Sequence, residues 1–249
     1  DAGIRYFDTA PHYGRGLSEQ RLGQFLKGRH GFALSSKVGR VLSPAKAPIA
    51  EADSYVTPAQ NDVRYDYSGD GIEESLEQSL SRLGVSHLDI AYVHDIGAYT
   101  HGAANAAHME AFFGSGYERL VRLKEAGRIR AFGLGVNECQ VCLDVMDHGP
   151  IDVILLAGRL TLLDREAEER LVPRCLEEGT SLVLGGVFNS GILATGPVEG
   201  ATYDYGPAPR EVLDQVAALQ TRAEAHGLPL ATAALHFARR HPAAASVLL

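Results

Sequence analysis

The chain has 249 residues, 45% of them hydrophobic, and a formal net charge of −8. That length and apolar share suit one large α/β domain over residues 1–249. The acidic balance, spread without blocks, argues against nucleic acid and anionic membrane surfaces as partners, and apolar runs such as 151–158 are far too short to span a bilayer.

Short β-rich runs alternate with longer helical patterns. Strands are predicted over 4–8, 32–36, 88–93, 130–136, 153–157, 181–185 and 245–249. Each is almost continuously apolar, as strands covered on both faces should be. Helices are predicted over 18–27, with Ser18 as N-cap, and over 71–83, where Ile72, Leu76, Leu80 and Leu83 share a face. Four more are expected over 117–126, 166–178, 210–226 and 230–240. Gly127, Gly179 and Gly227 stand where helices stop.

Strand-helix alternation implies parallel strands joined by crossovers. Seven strands without a linker fit a closed (β/α)8 barrel missing one strand better than an open sheet. Residues 1–3 read as the tail of a helix, and residue 249 lies inside a strand. The expectation is therefore a TIM barrel lacking its first strand and its last helix. The segments 41–70 and 96–116 follow strand ends and are too long for plain connectors; in a barrel such loops build the active face.

The three cysteines, Cys139, Cys142 and Cys175, cannot all pair. The lone Cys-x-x-Cys lacks the partners that a metal or redox site needs, so no metal is expected. Its spacing fits one helix face, and free thiols point to a reducing cytoplasm.

Three successive strands deliver ionisable groups to one end of the sheet. Asp8 closes the first, with Tyr13 five residues on; Lys37 follows the second, and His94 the third. A tyrosine with an ordinary pKa near 10 is too weak an acid for easy proton transfer at neutral pH. A neighbouring ammonium stabilises the phenolate, an aspartate holds the ammonium, and a histidine can hydrogen-bond the substrate oxygen. The strand-end position of Lys37 leaves a second chemistry open, a Schiff base in an aldolase or isomerase. Arg159 is placed to meet an anionic substrate group or a cofactor phosphate, or to pair with Asp164. His12 either lines the substrate pocket or serves the turn.

Phe-Asp-Thr-Ala-Pro-His-Tyr-Gly (7–14), Ser-Ser-Lys-Val-Gly-Arg (35–40) and Asp-Ile-Ala-Tyr-Val-His-Asp (89–95) resemble the three signatures of the aldo-keto reductase superfamily. Leu-Leu-Ala-Gly-Arg-Leu-Thr-Leu-Leu-Asp (155–164) and Gly-Gly-Val-Phe-Asn-Ser-Gly-Ile-Leu (185–193) resemble its bacterial sugar and pyridoxal dehydrogenase branch. The resemblance implies a barrel that binds NAD or NADP without a Rossmann domain, and a catalytic tetrad of Asp8, Tyr13, Lys37 and His94. It implies that Asn137 grips the nicotinamide carboxamide, with Val136 at the cofactor-binding position where relatives usually carry a serine. Ala157 and Gly185 then stand where relatives usually carry a glutamine and a stacking aromatic. Gly186, Phe188, Asn189 and Ser190 match the pyrophosphate loop. The implied reaction is hydride transfer between NAD(P) and a sugar at its anomeric carbon, or a pyridoxal-like alcohol. A low-turnover, cofactor-binding regulatory protein is the other role known for such barrels.

Overall fold

The computed structural model describes residues 3–249. Asp1 and Ala2, most of the expected helix tail, lie outside the described residues, and Gly3 has no regular structure. The chain forms two compact units, one ending at Gly135 and one running from Val136 to Leu249.

The first unit holds β1 (Tyr6–Asp8), β2 (Ala33–Val38), β3 (Leu88–His94) and β4 (Ile129–Val136), which reaches its boundary. They pair in parallel and in chain order, with Phe7 opposite Leu34, Lys37 opposite Tyr92 and His94 opposite Gly135. The connecting helices are α1 (Leu17–Leu26), α2 (Gly69–Leu83) and α3 (Tyr117–Glu125). The Ser68 hydroxyl caps α2 by accepting from the Gly71 amide, and Gly84, at φ 70°, ends it. Its expected face, Ile72, Leu76, Leu80 and Leu83, is buried. Helix α1 begins one residue earlier than predicted. Gly16, at φ 101°, takes the N-cap position, and the Ser18 hydroxyl instead shares a 2.8 Å hydrogen bond with that of Thr9.

Residues 41–70 are largely two hairpins rather than open loop. Arg40–Pro44 pairs antiparallel with Asn61–Tyr65, and Glu51–Ala52 with Tyr55–Val56. The tighter one turns through Asp53 and Ser54, both left-handed at φ 54° and 65°, the backbone sense that matches strand twist. Residues 96–116 fold into short helices, Ala98–His101 and Asn105–Ala111, and a π-helical turn, Phe112–Gly116.

The second unit carries α4 (Gln140–His148), β5 (Val153–Ala157), α5 (Leu171–Glu178), β6 (Ser181–Gly185), α6 (Arg210–Ala225), α7 (Leu230–Arg240) and β7 (Ala244–Val247). Strand β6 runs parallel to both β5 and β7. Ile192, Leu193, Val212, Val216, Leu230 and Ala234 form a buried cluster within this unit. Helix α5 is shorter than the expected 166–178. Pro173 is tolerated only in a first turn, so the α-helix starts at Leu171 and a separate 3-10 turn covers Glu166–Glu168. Cys139, Cys142 and Cys175 are free and at most 6% exposed. Burial, with Glu166 and Asp164, pushes the Cys139 thiol up to about 12, and burial with Glu178 pushes Cys175 up to about 11. Among the described residues no helix is long and apolar enough to cross a membrane.

Candidate active site

The four predicted residues of the first unit come together. Asp8 ends β1 opposite Ser35 of β2, and Lys37 lies on β2 two residues beyond Ser35. Lys37 Nζ donates to Asp8 Oδ2 at 2.5 Å and to the Thr9 carbonyl at 2.9 Å. The other Asp8 oxygen accepts from the Ser35 hydroxyl at 2.5 Å. Behind it the hydroxyls of Tyr6, Ser35 and Tyr92 form a chain with 2.9 Å links. Lys37 is 2% exposed. Burial opposes its charge, but Asp8 and then Tyr13 outweigh that and raise its pKa above the ordinary lysine value. The lysine is therefore an ammonium ion.

That ammonium sits 4.6 Å from the centre of the Tyr13 ring. Tyr13 opens a 3-10 turn in which Gly14 and Arg15 take left-handed backbones. His94, the last residue of β3, lies edge-on to Tyr13 with ring centroids 5.8 Å apart. Burial, then Arg40, Lys37 and His12, drive the His94 pKa well below the usual histidine value. The ring is neutral, as a hydrogen-bond partner for an uncharged oxygen should be.

His12 stands beside the tetrad, its ring centroid 6.2 Å from His94 and 6.1 Å from Tyr55. Burial and Arg40 lower it to about 4. The hairpin carrying Tyr55 is tied down by an ion pair from Arg15 to Asp53 at 3.0 Å. A cavity of ≈ 600 Å³ reaches Tyr13, with Leu17, Leu22, Tyr55, Val56 and Pro58 among its walls.

Three further residues of this unit were not found from sequence. Arg40, 3% exposed, pairs with Asp95 at 2.6 Å, and Asp95 adjoins His94. Burial raises the Asp95 pKa while Arg40 opposes it. Glu19 is fully buried, accepting from Arg82 Nε at 2.6 Å and from the Ser36 hydroxyl at 2.5 Å. The charge of Glu19 in a helix that reads as amphipathic was visible; its partner was not.

The remaining candidates belong to the second unit. Gly185 ends β6 and Ala157 ends β5, with Val136 and Asn137 at the start of the unit. Gly186 has φ 59°, and a Cβ there would lie 3.1 Å from the Gly158 amide nitrogen. Asn189 and Ser190 follow with left-handed φ of 46° and 57°. The Ser190 hydroxyl accepts from the Tyr205 amide at 3.0 Å. The Asn189 side chain is turned inward. It is 4% exposed, its side-chain oxygen accepts from Thr161 at 2.6 Å, and its amide donates to the Gly158 carbonyl at 3.1 Å. Its side chain shapes the loop and is not free for a phosphate. Phe188 packs against the buried cluster that includes Ile192 and Val216.

Arg159 takes the ion-pair alternative. It binds both oxygens of Asp204, at 3.1 and 2.8 Å, and Asp164 at 3.2 Å, and donates to the Asn137 carbonyl at 2.8 Å. Burial opposes its charge, and Asp204 and Asp164 hold it. Asp204 and Tyr205 form the left-handed turn of the hairpin Thr202–Tyr203 with Gly206–Pro207. Tyr205 Oη accepts from Asn137 Nδ2 at 3.4 Å.

The model of the aldo/keto reductase family matches residues 1–249. The chain belongs to the aldo/keto reductase family. Pyridoxal 4-dehydrogenase of Microbacterium luteolum is 39% identical over 260 residues, covering 100% of this chain and 76% of that one. D-threo-aldose 1-dehydrogenase of a Pseudomonas species is 35% identical over 244 residues, covering 95% and 72%. Among solved structures, the holo form of an aldo-keto reductase from Bacillus halodurans matches with a TM-score of 0.74 at 27% identity, covering 98% and 72%. This aldo-keto reductase has the α/β barrel fold class of its relatives, and it is an NAD(P)-dependent oxidoreductase.

The second unit fits such a cofactor. The glycine at 186 lets the loop lie against the Gly158 backbone, which a Cβ would crowd, and Gly186 and Ser190 are exposed while the residues between them anchor the loop. Gly-rich loops with left-handed turns suit phosphate oxygens because no side chain shields their amides.

Proposed function

We propose that this aldo-keto reductase oxidises a sugar at its anomeric carbon or a pyridoxal-like alcohol, with Tyr13 as the general acid/base. The observation that carries the reading is the Lys37 ammonium against the Tyr13 ring at 4.6 Å, locked by Asp8 at 2.5 Å. The nicotinamide supplies the two-electron step when bound. In oxidation Tyr13, as phenolate, takes the substrate hydroxyl proton, and in reduction the phenol returns it. Lys37 stabilises the phenolate, Asp8 keeps Lys37 charged and in place, and neutral His94 orients the reacting oxygen. His12 and Tyr55 wall the substrate side.

Asn137, Val136, Ala157, Gly185, Gly186, Phe188 and Ser190 hold the cofactor, with Asn189 fixing the loop from inside. Arg159 serves the same face by anchoring the 202–207 hairpin, rather than by meeting an anion. A Schiff base at Lys37 requires a neutral amine, and the ion pair with Asp8 opposes that. The small-molecule substrate, the net charge of −8 and three buried free thiols support a cytoplasmic enzyme without nucleic-acid partners.

The test is turnover of a panel of sugars and pyridoxal with NAD and with NADP, followed by absorbance of the reduced nicotinamide. Tyr13→Phe is expected to lower kcat by about 100-fold or more while cofactor affinity stays within about twofold. Wild-type turnover in that variant refutes the tyrosine role. A wild type that binds cofactor and turns over no substrate favours the regulatory role instead.

A further inference from the structure

His94 has one proton and two places to keep it. The side chain is 4% exposed and the ring is neutral. Nδ1 is buried with no hydrogen-bond partner. A proton there would be a buried donor without an acceptor, which is unfavourable. Nε2 lies 3.4 Å from Asp95 Oδ2, a carboxylate oxygen.

The backbone brings that oxygen to the ring. In a strand, successive side chains point to opposite faces, so Asp95 would face away from His94 if β3 continued. It does not continue. Asp95 takes a left-handed backbone at φ 46°, with its amide donating to the Gly135 carbonyl at 2.9 Å. Aspartate and asparagine are among the few non-glycine residues that occupy this region readily. Arg40 then fixes the carboxylate, donating to the same Oδ2 at 2.6 Å. Arg40 is itself held by the Ser75 hydroxyl on its carbonyl at 3.0 Å and lies over the Tyr65 ring.

We propose that Asp95, held by Arg40, is a positioning residue that keeps the proton of His94 on Nε2. At 3.4 Å the contact is long for a hydrogen bond. The carboxylate selects the protonated nitrogen by its charge and leaves the N–H to a closer acceptor. The substrate oxygen is that acceptor, so the role in turnover rests on the reading of His94 given above. Without Asp95 the Arg40 cation would face the ring unbalanced and repel a proton from Nε2 by more than the missing acceptor at Nδ1 disfavours one there. The ring would then present a bare nitrogen, unable to donate to the reacting oxygen.

The experiment is nitrogen-15 NMR of histidine-labelled protein, which distinguishes the two tautomers, together with kcat and KM. Asp95→Gly suits the left-handed backbone and removes the carboxylate. Asp95→Asn suits it too, and keeps an oxygen without the charge. Wild type is expected to show His94 protonated on Nε2. Asp95→Gly should shift the proton toward Nδ1 and lower kcat by about 100-fold, the loss typical of removing one hydrogen-bond donor to a reacting oxygen, with cofactor KM unchanged. Asp95→Asn should recover part of both readouts. A wild-type ring protonated on Nδ1, or an Nε2–H that persists in both variants, overturns the proposal. A shifted tautomer with wild-type kcat upholds the role of Asp95 on the ring and refutes instead the role of His94 toward substrate.

Discussion

Replacing Lys37 with methionine keeps most of the side-chain volume and deletes the charge. The perturbed pair is almost dry, with side chains 3% and 10% exposed and the ions 2.5 Å apart. Removing one member of a buried pair leaves the other charge uncompensated, at a cost of about 3–5 kcal/mol. Asp8 keeps its Ser35 hydrogen bond, so the lower half of that range, about 3–4 kcal/mol, applies to a relaxed site. For a chain of this size each kcal/mol moves Tm by about 2–4 °C, giving a drop of about 6–16 °C by circular dichroism. The double variant Asp8→Asn with Lys37→Met removes both charges and keeps an acceptor for Ser35. It should recover at least half of the lost Tm. Neither variant should recover turnover, because Tyr13 has lost its cation in both. A Lys37→Met protein melting within about 2 °C of wild type would refute the buried pair as a stabilising unit. Activity restored in the double variant would refute the role of Lys37 in proton transfer.

Glu19→Ala strands the Arg82 guanidinium and should lower stability by about 3–5 kcal/mol, read from the urea midpoint, with kcat per folded molecule unchanged. At Gly39 the backbone has φ 98°, and a Cβ would lie 2.5 Å from the Tyr67 ring. Because Tyr67 is fully buried and donates to the His94 carbonyl at 2.7 Å, Gly39→Ala should cost about 3 kcal/mol or more and lower turnover, checked by urea unfolding and kcat on the same preparation. His12 and His101 are both lowered to about 4 from the ordinary 6.5, by burial first, and His94 falls well below it. The unfolded chain therefore takes up protons that the folded one refuses. Stability present above about pH 6.5 should be lost as the pH falls toward about 4, visible as a falling Tm over that window.

Strands β5 and β6 match the sequence expectation to the residue, because an apolar run bounded by turn residues has little freedom to be anything else when both faces are covered. The tetrad was legible for a related reason: each member stands at or just beyond the end of such a run. What stayed hidden depends on distant partners. Helix α4 buries Val141, Cys142, Leu143, Val145 and Met146, a crowded set with no clean stripe and no side-chain cap to announce it. The 51–56 hairpin turns through Asp53 and Ser54 rather than the Asn-Gly pair that marks such turns in sequence. Arg40 and Asp95 are 55 positions apart, and nothing local pairs them. Nothing in the glycine and serine around Asn189 shows that its side-chain amide turns inward to the Gly158 carbonyl.

The buried thiols have a practical consequence. With Cys139 and Cys175 pushed up to about 12 and about 11, and Cys142 well above its usual value, all by burial first, burial disfavours the thiolate that reacts with alkylating reagents. The wild-type chain is then a silent background for cysteine-directed spectroscopy. A single cysteine placed at the exposed Val56 on the 51–56 hairpin would carry a spin label or fluorophore alone, and report hairpin motion during turnover without any native cysteine being removed.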